Sequence, residues 1–349
     1  MLILGLDIGG ANIKAALIKN GTCINQSVKY YPMWTNNTDD LPKILTQIKD
    51  EICGTDIPEA IAVTMTAELS DAFYTKRAGI LEICMALRKV VNDDVSKLHF
   101  INIYGHFIAF NDVLENPLQI AAANWVATSK FVSGFYKNCI LIDTGSTTTD
   151  IIPILNGIPQ CYGKHDPDRL LSGELVYTGI LRTEIPAITH NVPYKGNMCR
   201  ISSEKFALSA DIHLILGHIT QKDYMIDTAD GRDKDEEYCL ARIARINCAD
   251  IEMLNKSEII AIANYIYLKQ VQQVQEGLKQ VLDSLSHLKV SELPIIITGL
   301  GADCLARPAA SNLHFKSIIN LDMILGENKG IAAPSIAIAL LLEIELKGD

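Results

Sequence analysis

The apolar positions of this chain fall into short runs with alternating or fully apolar character, separated by longer segments with helical spacing. Leu2 to Leu6 opens as an apolar strand, a second strand leaves it around Ile13, and Ile24 to Tyr31 continues as a third. Leu41 to Cys53 has the period of a helix and follows an Asn/Asp-rich turn, which suits a helix start. Alternation returns at Ala60 to Val63, a helix is predicted over Ile80 to Val91, and Phe100 to Tyr104 reads as a strand. Ile140 to Ile142 and Ile295 to Ile297 are further apolar strands. Asn255 and Glu258 have the spacing of a capping box. Apolar residues at Ile259, Ile262, Ile266, Val274, Leu278, Leu285 and Leu288 then predict a long helix up to Pro294, covering one face of the second sheet. Alanine-rich runs at Gln119 to Thr128 and Gly330 to Leu340 predict closely packed helices crossing between two lobes, the last returning to the first.

Two stretches match in order and spacing. Asp7-Ile-Gly9-Gly10-Ala-Asn12-Ile-Lys14 and Asp143-Thr-Gly145-Ser146-Thr147-Thr148-Thr-Asp150 each place an aspartate at a strand end, glycine in a short turn, and an outgoing strand. In the second copy that strand is expected just beyond Asp150. Both outgoing strands end in Asn-Gly, Asn20-Gly21 and Asn156-Gly157, a strong hairpin signal. The asparagine stands 13 positions after the aspartate in each copy. The spacing implies an internal duplication, with each half presenting an Asp-Gly turn. Such turns suit phosphate: glycine admits backbone N–H groups close to anionic oxygens, hydroxyls add donors, and an aspartate can hold a hydrated divalent cation.

At 349 residues the chain has room for two ordinary domains, and 48% apolar residues can fill two cores. The net charge of −10 argues against nucleic acid and acidic membrane surfaces as partners. No signal peptide or spanning helix is expected. Nine cysteines without a Cys-x-x-Cys pair point to free thiols in a reducing compartment, the cytoplasm by default.

Other segments carry candidate chemistry. Thr64 to Arg77 follows a strand end, where α/β proteins place ligand loops, and offers Glu68, Asp71, Lys76 and Arg77; the alternative is a solvated helix start. Lys164 to Arg169 reads as a loop at a cleft rim, its histidine lacking zinc-site spacing. His213 and His218, five apart, miss the helical spacing of four that metal pairs favour and are expected as core or surface histidines. Asp227 to Glu237, ahead of Arg242 and Arg245, reads as a solvated charged face. Thr298-Gly299-Leu-Gly301-Ala-Asp303 adds a third glycine turn after an apolar strand, with a helix expected beyond it.

Three glycine turns with two alanine-rich helices resemble the actin, sugar kinase and Hsp70 superfamily over essentially the whole chain. Within it, Val63 to Phe73, Ser172-Gly-Glu174-Leu-Val-Tyr-Thr-Gly179 and Thr228 to Glu236 are similar to the hydantoinase/oxoprolinase branch, in the subgroup linked to tetrahydromethanopterin-dependent one-carbon metabolism. The resemblance implies an α/β fold of two ribonuclease H-like domains, an actin-like ATPase fold duplicated around a central cleft. The lobes are expected at residues 1–128 plus 333–349 and at 129–332.

The resemblance also implies a transferase in methanofuran or methylofuran biosynthesis. It would join a phenolic amine, gamma-glutamyltyramine or a tyrosine-derived analogue, to an aminomethylfuranyl-methyl diphosphate and release pyrophosphate. For that chemistry Glu68, then Asp150, are the candidate bases, and Lys14 assists catalysis. Phosphate contacts are expected from Gly9, Gly10, Asn12, Gly145, Ser146, Thr147, Thr148, Gly299 and Gly301. Lys76, Arg77, Glu174 and Arg182 are expected to bind substrate, with Asp7 and Asp143 holding Mg2+. Both substrates are small molecules, and a homo-oligomer is an open alternative. The first turn reads Gly9-Gly10-Ala11 where many relatives have Gly-Gly-Thr, so ATP is allowed without being required. The runner-up is an ATP-dependent small-molecule kinase or hydantoinase-type ATPase. A nucleotide-sensing regulator is disfavoured because no helix-turn-helix extension is visible.

Overall fold

Strand β1 (Leu2–Ile8) is buried at every position, as its apolar run requires when both faces of a sheet are covered. A computed structural model of the chain describes residues 1–285, 292–326 and 329–348. β2 (Asn12–Lys19) returns antiparallel to β1, and β3 (Thr22–Tyr30) returns antiparallel to β2. The β2–β3 turn is Asn20-Gly21, with φ of 51° and 79°, the paired positive values that a two-residue hairpin needs. α1 (Leu41–Cys53), β4 (Ala60–Met65), α2 (Lys76–Val90), β5 (Leu98–Ile101), β6 (Phe107–Ala109), α3 (Phe110–Glu115) and α4 (Asn124–Phe135) follow. The sheet order is β3-β2-β1-β4-β5-β6, with β1, β4 and β5 mutually parallel in sequence. Leu4, Leu6, Ile8 and Val63 from this sheet join Leu45, Ile48, Ile80, Ile83 and Leu87 in one buried cluster. Each such side chain contributes about 1.5–3 kcal/mol by leaving water.

β7 (Cys139–Thr144) and β8 (Thr149–Leu155) repeat the pattern, with Asn156 and Gly157 at φ 54° and 78° leading into β9 (Ile158–Pro159). α5 (Asp166–Ser172), β10 (Leu175–Val176), α6 (Ile185–Ile188), the small hairpin β11 (Asn191–Tyr194) and β12 (Asn197–Arg200), α7 (Ser209–Ile215) and α8 (Glu236–Arg245) come next. Then follow α9 (Lys256–Ser284), β13 (Ile295–Thr298), α10 (Arg307–Asn312), β14 (Ile318–Asn320) and α11 (Asp322–Leu325). The order β10-β8-β7-β13-β14, with β7, β13 and β14 parallel, reproduces β3-β2-β1-β4-β5 strand for strand. This is the duplicated ribonuclease H-like architecture expected for an actin-like fold. α12 (Ala333–Gly348) packs on β1, β2, β4 and α4. By internal contacts the chain divides into a first unit of residues 1–138, 154–168 and from 324 on, and a second of 139–153 and 169–323.

Several expected boundaries move. Asp150 lies inside β8, which begins at Thr149. The strand at Phe100 ends at Ile101, because the Asn102 carboxamide accepts the N–H groups of Tyr104 and His106 and turns the chain. α2 begins at Lys76, capped by the Thr75 hydroxyl. The run Gln119 to Thr128 is not one helix: a 3-10 turn ends at Ile120, Ala122 has φ 49°, and α4 starts at Asn124. The predicted loop at Lys164 to Arg169 becomes helix α5 from Asp166. α9 is opened by the expected Asn255–Glu258 capping box, and at Gly277 it lies against Val176 and Ile151 of the sheet, but it ends at Ser284. Leu288, expected in that helix, lies outside the described residues. Among the described residues no helix is long and apolar enough to cross a membrane. Among the described residues no disulfide joins any of the cysteines.

Candidate active-site residues in the two units

In the first unit the β1–β2 connection closes with the Gly9 N–H donating to the Asn12 carbonyl at 3.0 Å. In the second unit the Gly145 N–H donates to the Thr148 carbonyl at 2.9 Å. Each aspartate therefore sits two residues before an equivalent turn. β1 and β2 place Asp7 opposite Lys14, and the Lys14 ammonium lies 3.2 Å from Asp7 Oδ2. Asp7 is buried and its Oδ1 has no hydrogen-bond partner. On its other side Asp7 pairs in register with Thr64, whose buried Oγ1 is also unpartnered. Gly10 is half-buried and Asn12 buried, on the same turn.

The stretch after β4 is not a solvated helix start. Ala67–Leu69 form a 3-10 turn with Glu68 at 1% exposure, its Oε1 accepting the Ala122 N–H at 2.9 Å. That bond accounts for the break in the alanine-rich run, since a left-handed residue turns the Ala122 N–H toward the carboxyl. Among the described residues none gives the buried Glu68 Oε2 a hydrogen bond. Burial raises the Glu68 pKa to about 7; hydrogen bonds from backbone N–H groups, including Ala122, and the Lys76 charge oppose the rise, and Asp166 adds to it. Lys76 is engaged, its ammonium 2.7 Å from Asp166 Oδ2, while Arg77 and Asp71 are exposed.

In the second unit the turn after Asp143 is strapped from outside. The Ile180 N–H donates to the Gly145 carbonyl, and the Leu181 and Arg182 N–H groups donate to the Ser146 carbonyl. The Arg182 guanidinium adds a bond to Thr147 Oγ1 at 3.3 Å. A side chain at Gly179 would put its Cβ 2.5 Å from the Thr147 nitrogen, so the strap can approach only with glycine there. Gly299, with φ 87°, is likewise confined: a Cβ would meet the Thr144 carbonyl at 2.4 Å and Asp143 Oδ1 at 2.7 Å. The Gly301 N–H donates to the Thr144 carbonyl at 2.9 Å. Asp143, Ser146, Thr147, Thr148, Gly299 and Gly301 are thus assembled on one end of the second sheet. A π-helical turn, Ala302–Ala306, leads from Gly301 into the expected helix.

Asp150 points elsewhere, pairing with the buried Arg169 at 2.9 Å, and Arg169 also donates to the Glu174 carbonyl at 3.1 Å. Glu174 itself is buried. The charged run at Asp227 to Glu237 is exposed along much of its length yet anchored by Asp230, which binds the fully buried Arg242 at 3.1 Å and Arg245 at 2.8 Å. Desolvation works against it, but Arg245, the Arg232 N–H and Arg242 together hold Asp230 below the usual carboxylate range. Arg242 also grips Asp211, which accepts a bond from Tyr224. Sequence reading missed Thr64, the Ala122 N–H and the Gly179 strap. Of these only Gly179 carried a local signal, as a glycine between Thr178 and the apolar pair Ile180 and Leu181.

A family model described as hydantoinase/oxoprolinase matches residues 59–345. The (4-{4-[2-(gamma-L-glutamylamino)ethyl]phenoxymethyl}furan-2-yl)methanamine synthase of Methanocaldococcus jannaschii is 38% identical over 347 residues, covering 99% of each chain. The Methanococcus vannielii protein of the same name is 38% identical over 222 residues, covering 62% of this chain and 97% of that one. A nucleotide-free structure of acetone carboxylase shares the fold, with a TM-score of 0.57 at 11% identity over 97% of this chain and 70% of that one. The match over most of its length and the full-length similarity show that this chain belongs to the hydantoinase/oxoprolinase family.

Proposed function

We propose that this chain is a transferase of the same reaction class as its archaeal relatives, forming the aryl ether of a methanofuran-type precursor. A phenolic amine, gamma-glutamyltyramine or a close analogue, attacks the furanylmethyl carbon of an aminomethylfuranyl-methyl diphosphate. The new bond is phenolic oxygen to carbon, the broken bond is carbon to diphosphate oxygen, and pyrophosphate leaves with the bonding pair. The full-length similarity supports the substrates, and the observation that carries the chemistry is Glu68.

A phenol with an ordinary pKa near ~10 is mostly protonated at neutral pH, so attack is helped by a base. Glu68 has a buried, unpartnered Oε2 and a pKa of about 7, matched to accepting that proton near neutrality. Its Oε1 is held by Ala122, which fixes the carboxyl's orientation. With Glu68 at 1% exposure, the phenol reaches Oε2 only after its cover is displaced. Negative charge collects on the leaving group, which calls for preorganised donors. In the second unit the Ser146–Thr148 hydroxyls and the turns at Gly145, Gly299 and Gly301 are the proposed contacts. In the first unit Gly9, Gly10, Asn12 and Lys14 are the corresponding set. Lys76, Arg77, Glu174 and Arg182 are proposed for substrate, with Lys76 and Arg182 already held by Asp166 and Thr147. Asp150, ion-paired with Arg169, is proposed to hold its loop.

In the first unit the buried Oδ1 of Asp7, and in the second the strand-end carboxylate of Asp143, each offer the oxygen donors a hard divalent cation takes, and each is proposed as a ligand of Mg2+. Such an ion would neutralise charge on the departing diphosphate. ATP has no part in this balance. The test is product analysis with both substrates, with and without ATP. Ether and pyrophosphate in equal amounts without ATP are the expected result. ADP formation with no pyrophosphate would replace this reading with the kinase or ATPase alternative.

A further inference from the structure

His213 lies in the last turn of α7, beyond which the chain turns back on itself. The His218 N–H donates to the His213 carbonyl at 2.8 Å and the Gly217 N–H to the Leu214 carbonyl at 3.0 Å, with Gly217 at φ 71°. This is a Schellman helix end, in which the residue after the left-handed glycine is brought over the last helical turn. Its usual apolar contact is here a pair of imidazoles, with His213 Nδ1 and His218 Nδ1 2.9 Å apart. A spacing of five, which argued against a metal pair on a continuous helix, therefore juxtaposes the rings on this one. The thiol of Cys304, from the π-helical turn beyond Gly301, completes a cluster whose three ligand atoms lie within 4.8 Å of one another.

The pair is oriented from behind. Gln270, fully buried on α9, donates through Nε2 to Thr178 Oγ1 at 3.0 Å and to the Gly179 carbonyl at 2.7 Å. A carbonyl only accepts, so the amide is fixed with Oε1 toward His213 Nε2, 2.9 Å away. That acceptor requires a proton on Nε2, which leaves His213 Nδ1 with a bare lone pair directed at the cluster. A metal-binding histidine ordinarily has this arrangement, its distal N–H given to a carbonyl oxygen. Tyr267 walls the cluster, its ring 4.6 Å from that of His218.

We propose that His213, His218 and Cys304 form a binding site for a thiophilic divalent transition metal, zinc being the best match. Two imidazole nitrogens and a sulfur suit zinc, not magnesium, which takes oxygen ligands. Ordinary tetrahedral zinc bonds put two nitrogens about 3.3 Å apart and nitrogen and sulfur about 3.6 Å apart, so the separations to the sulfur close by no more than about 1.2 Å while the nitrogen pair, 2.9 Å apart, opens by about 0.4 Å. On binding, the cation takes the place of the proton shared between the two Nδ1 atoms. That proton moves to His218 Nε2, and the thiol proton is released to solvent as the metal–sulfur bond forms. Because Gln270 grips Thr178 and Gly179, the ion would stiffen the strap over Ser146 and Thr147 within the second unit.

Cobalt(II) titration of the purified full chain tests this. About one equivalent is expected to produce thiolate-to-metal charge-transfer absorption in the near ultraviolet, displaced by zinc. Cys304→Ser should abolish that band. His218→Ala should weaken zinc binding at least ~100-fold, and Gln270→Leu by ~10-fold to 100-fold, the range for losing an orienting partner. Circular dichroism checks the fold of each variant, and the two half-buried positions, Cys304 and His218, serve independently if one fails. No charge-transfer band in the wild-type chain, or a band that survives in folded Cys304→Ser, overturns the proposal.

Discussion

The two sheets share their strand order, yet the slots after their second parallel strands hold different chemistry. After β4 the first unit turns through Ala67–Leu69 and buries a carboxyl, Glu68. After β13 the second unit turns through Gly299 and Gly301 and brings backbone against Asp143 and Thr144. The register is equivalent, Asp7 with Thr64 in one and Asp143 with Thr298 in the other. The duplicated frame thus fixes where a residue stands, and the side chain in that slot decides whether it offers a proton acceptor or close backbone donors.

The comparison breaks most severely at the outgoing strands. Asp7 faces the half-buried Lys14, whereas Asp150 faces Arg169, which is fully enclosed. Asp150→Asn takes a counter-charge away from a buried guanidinium, and a loss of about 3–5 kcal/mol in denaturant unfolding is expected. Thermal or urea titration checks it; a variant as stable as the parent would show that this pair is dispensable.

Glu68 gives the next effect, and it runs the other way. Its folded pKa of about 7 exceeds that of a free glutamate, near ~4.3, so the folded state binds the extra proton between those values. Stability falls as pH rises across that window and stays lower above it, because the carboxylate is then charged in a buried site. Glu68→Gln removes the penalty, so the variant is expected to be more stable than the parent at pH 8, by up to about 3 kcal/mol, with little difference at pH 4. Equal stabilities at both pH values would contradict the burial argument.

The glycines sharpen the contrast at smaller scale. Gly179→Ala pushes a methyl into the Thr147 backbone and should cost about 1–3 kcal/mol, while Gly10→Ala, with nothing within 4 Å, should be nearly silent. Differential scanning of the two variants decides whether the strap packs as tightly as drawn.

Much of the frame was legible because it is written locally. Asn20-Gly21, Asn156-Gly157 and the Asn255–Glu258 cap each act within a few residues, and each appears where the pattern put it. The alanine-rich run misled because alanine favours helix wherever nothing competes, and here a buried carboxyl 54 residues earlier takes the Ala122 N–H. For Glu68, the first candidate base, a solvated helix start was the alternative, because its burial comes partly from Ala122, remote in sequence. Asp150, the second candidate base, is placed by β8 and α5 against Arg169, a contact that no local pattern announces. The histidine pair was expected in the core or at the surface, and His213 is buried; the contact between the two rings was not legible because the spacing rule assumed a continuous helix, and Gly217 was the visible sign that the helix stops. Asp7 and Asp143 as strand-end residues could be read directly; the geometry around them could not.

The central chemical claim is that Glu68 takes the phenolic proton during ether formation, and the pH dependence of kcat/KM for pyrophosphate release tests it most directly. The wild-type profile should rise with pH through a midpoint near 7, the value set by Glu68 burial. Glu68→Gln should lower the rate by ~10²–10⁴-fold and lose that rising limb. A Glu68→Gln chain that keeps both the rate and the limb would contradict the account.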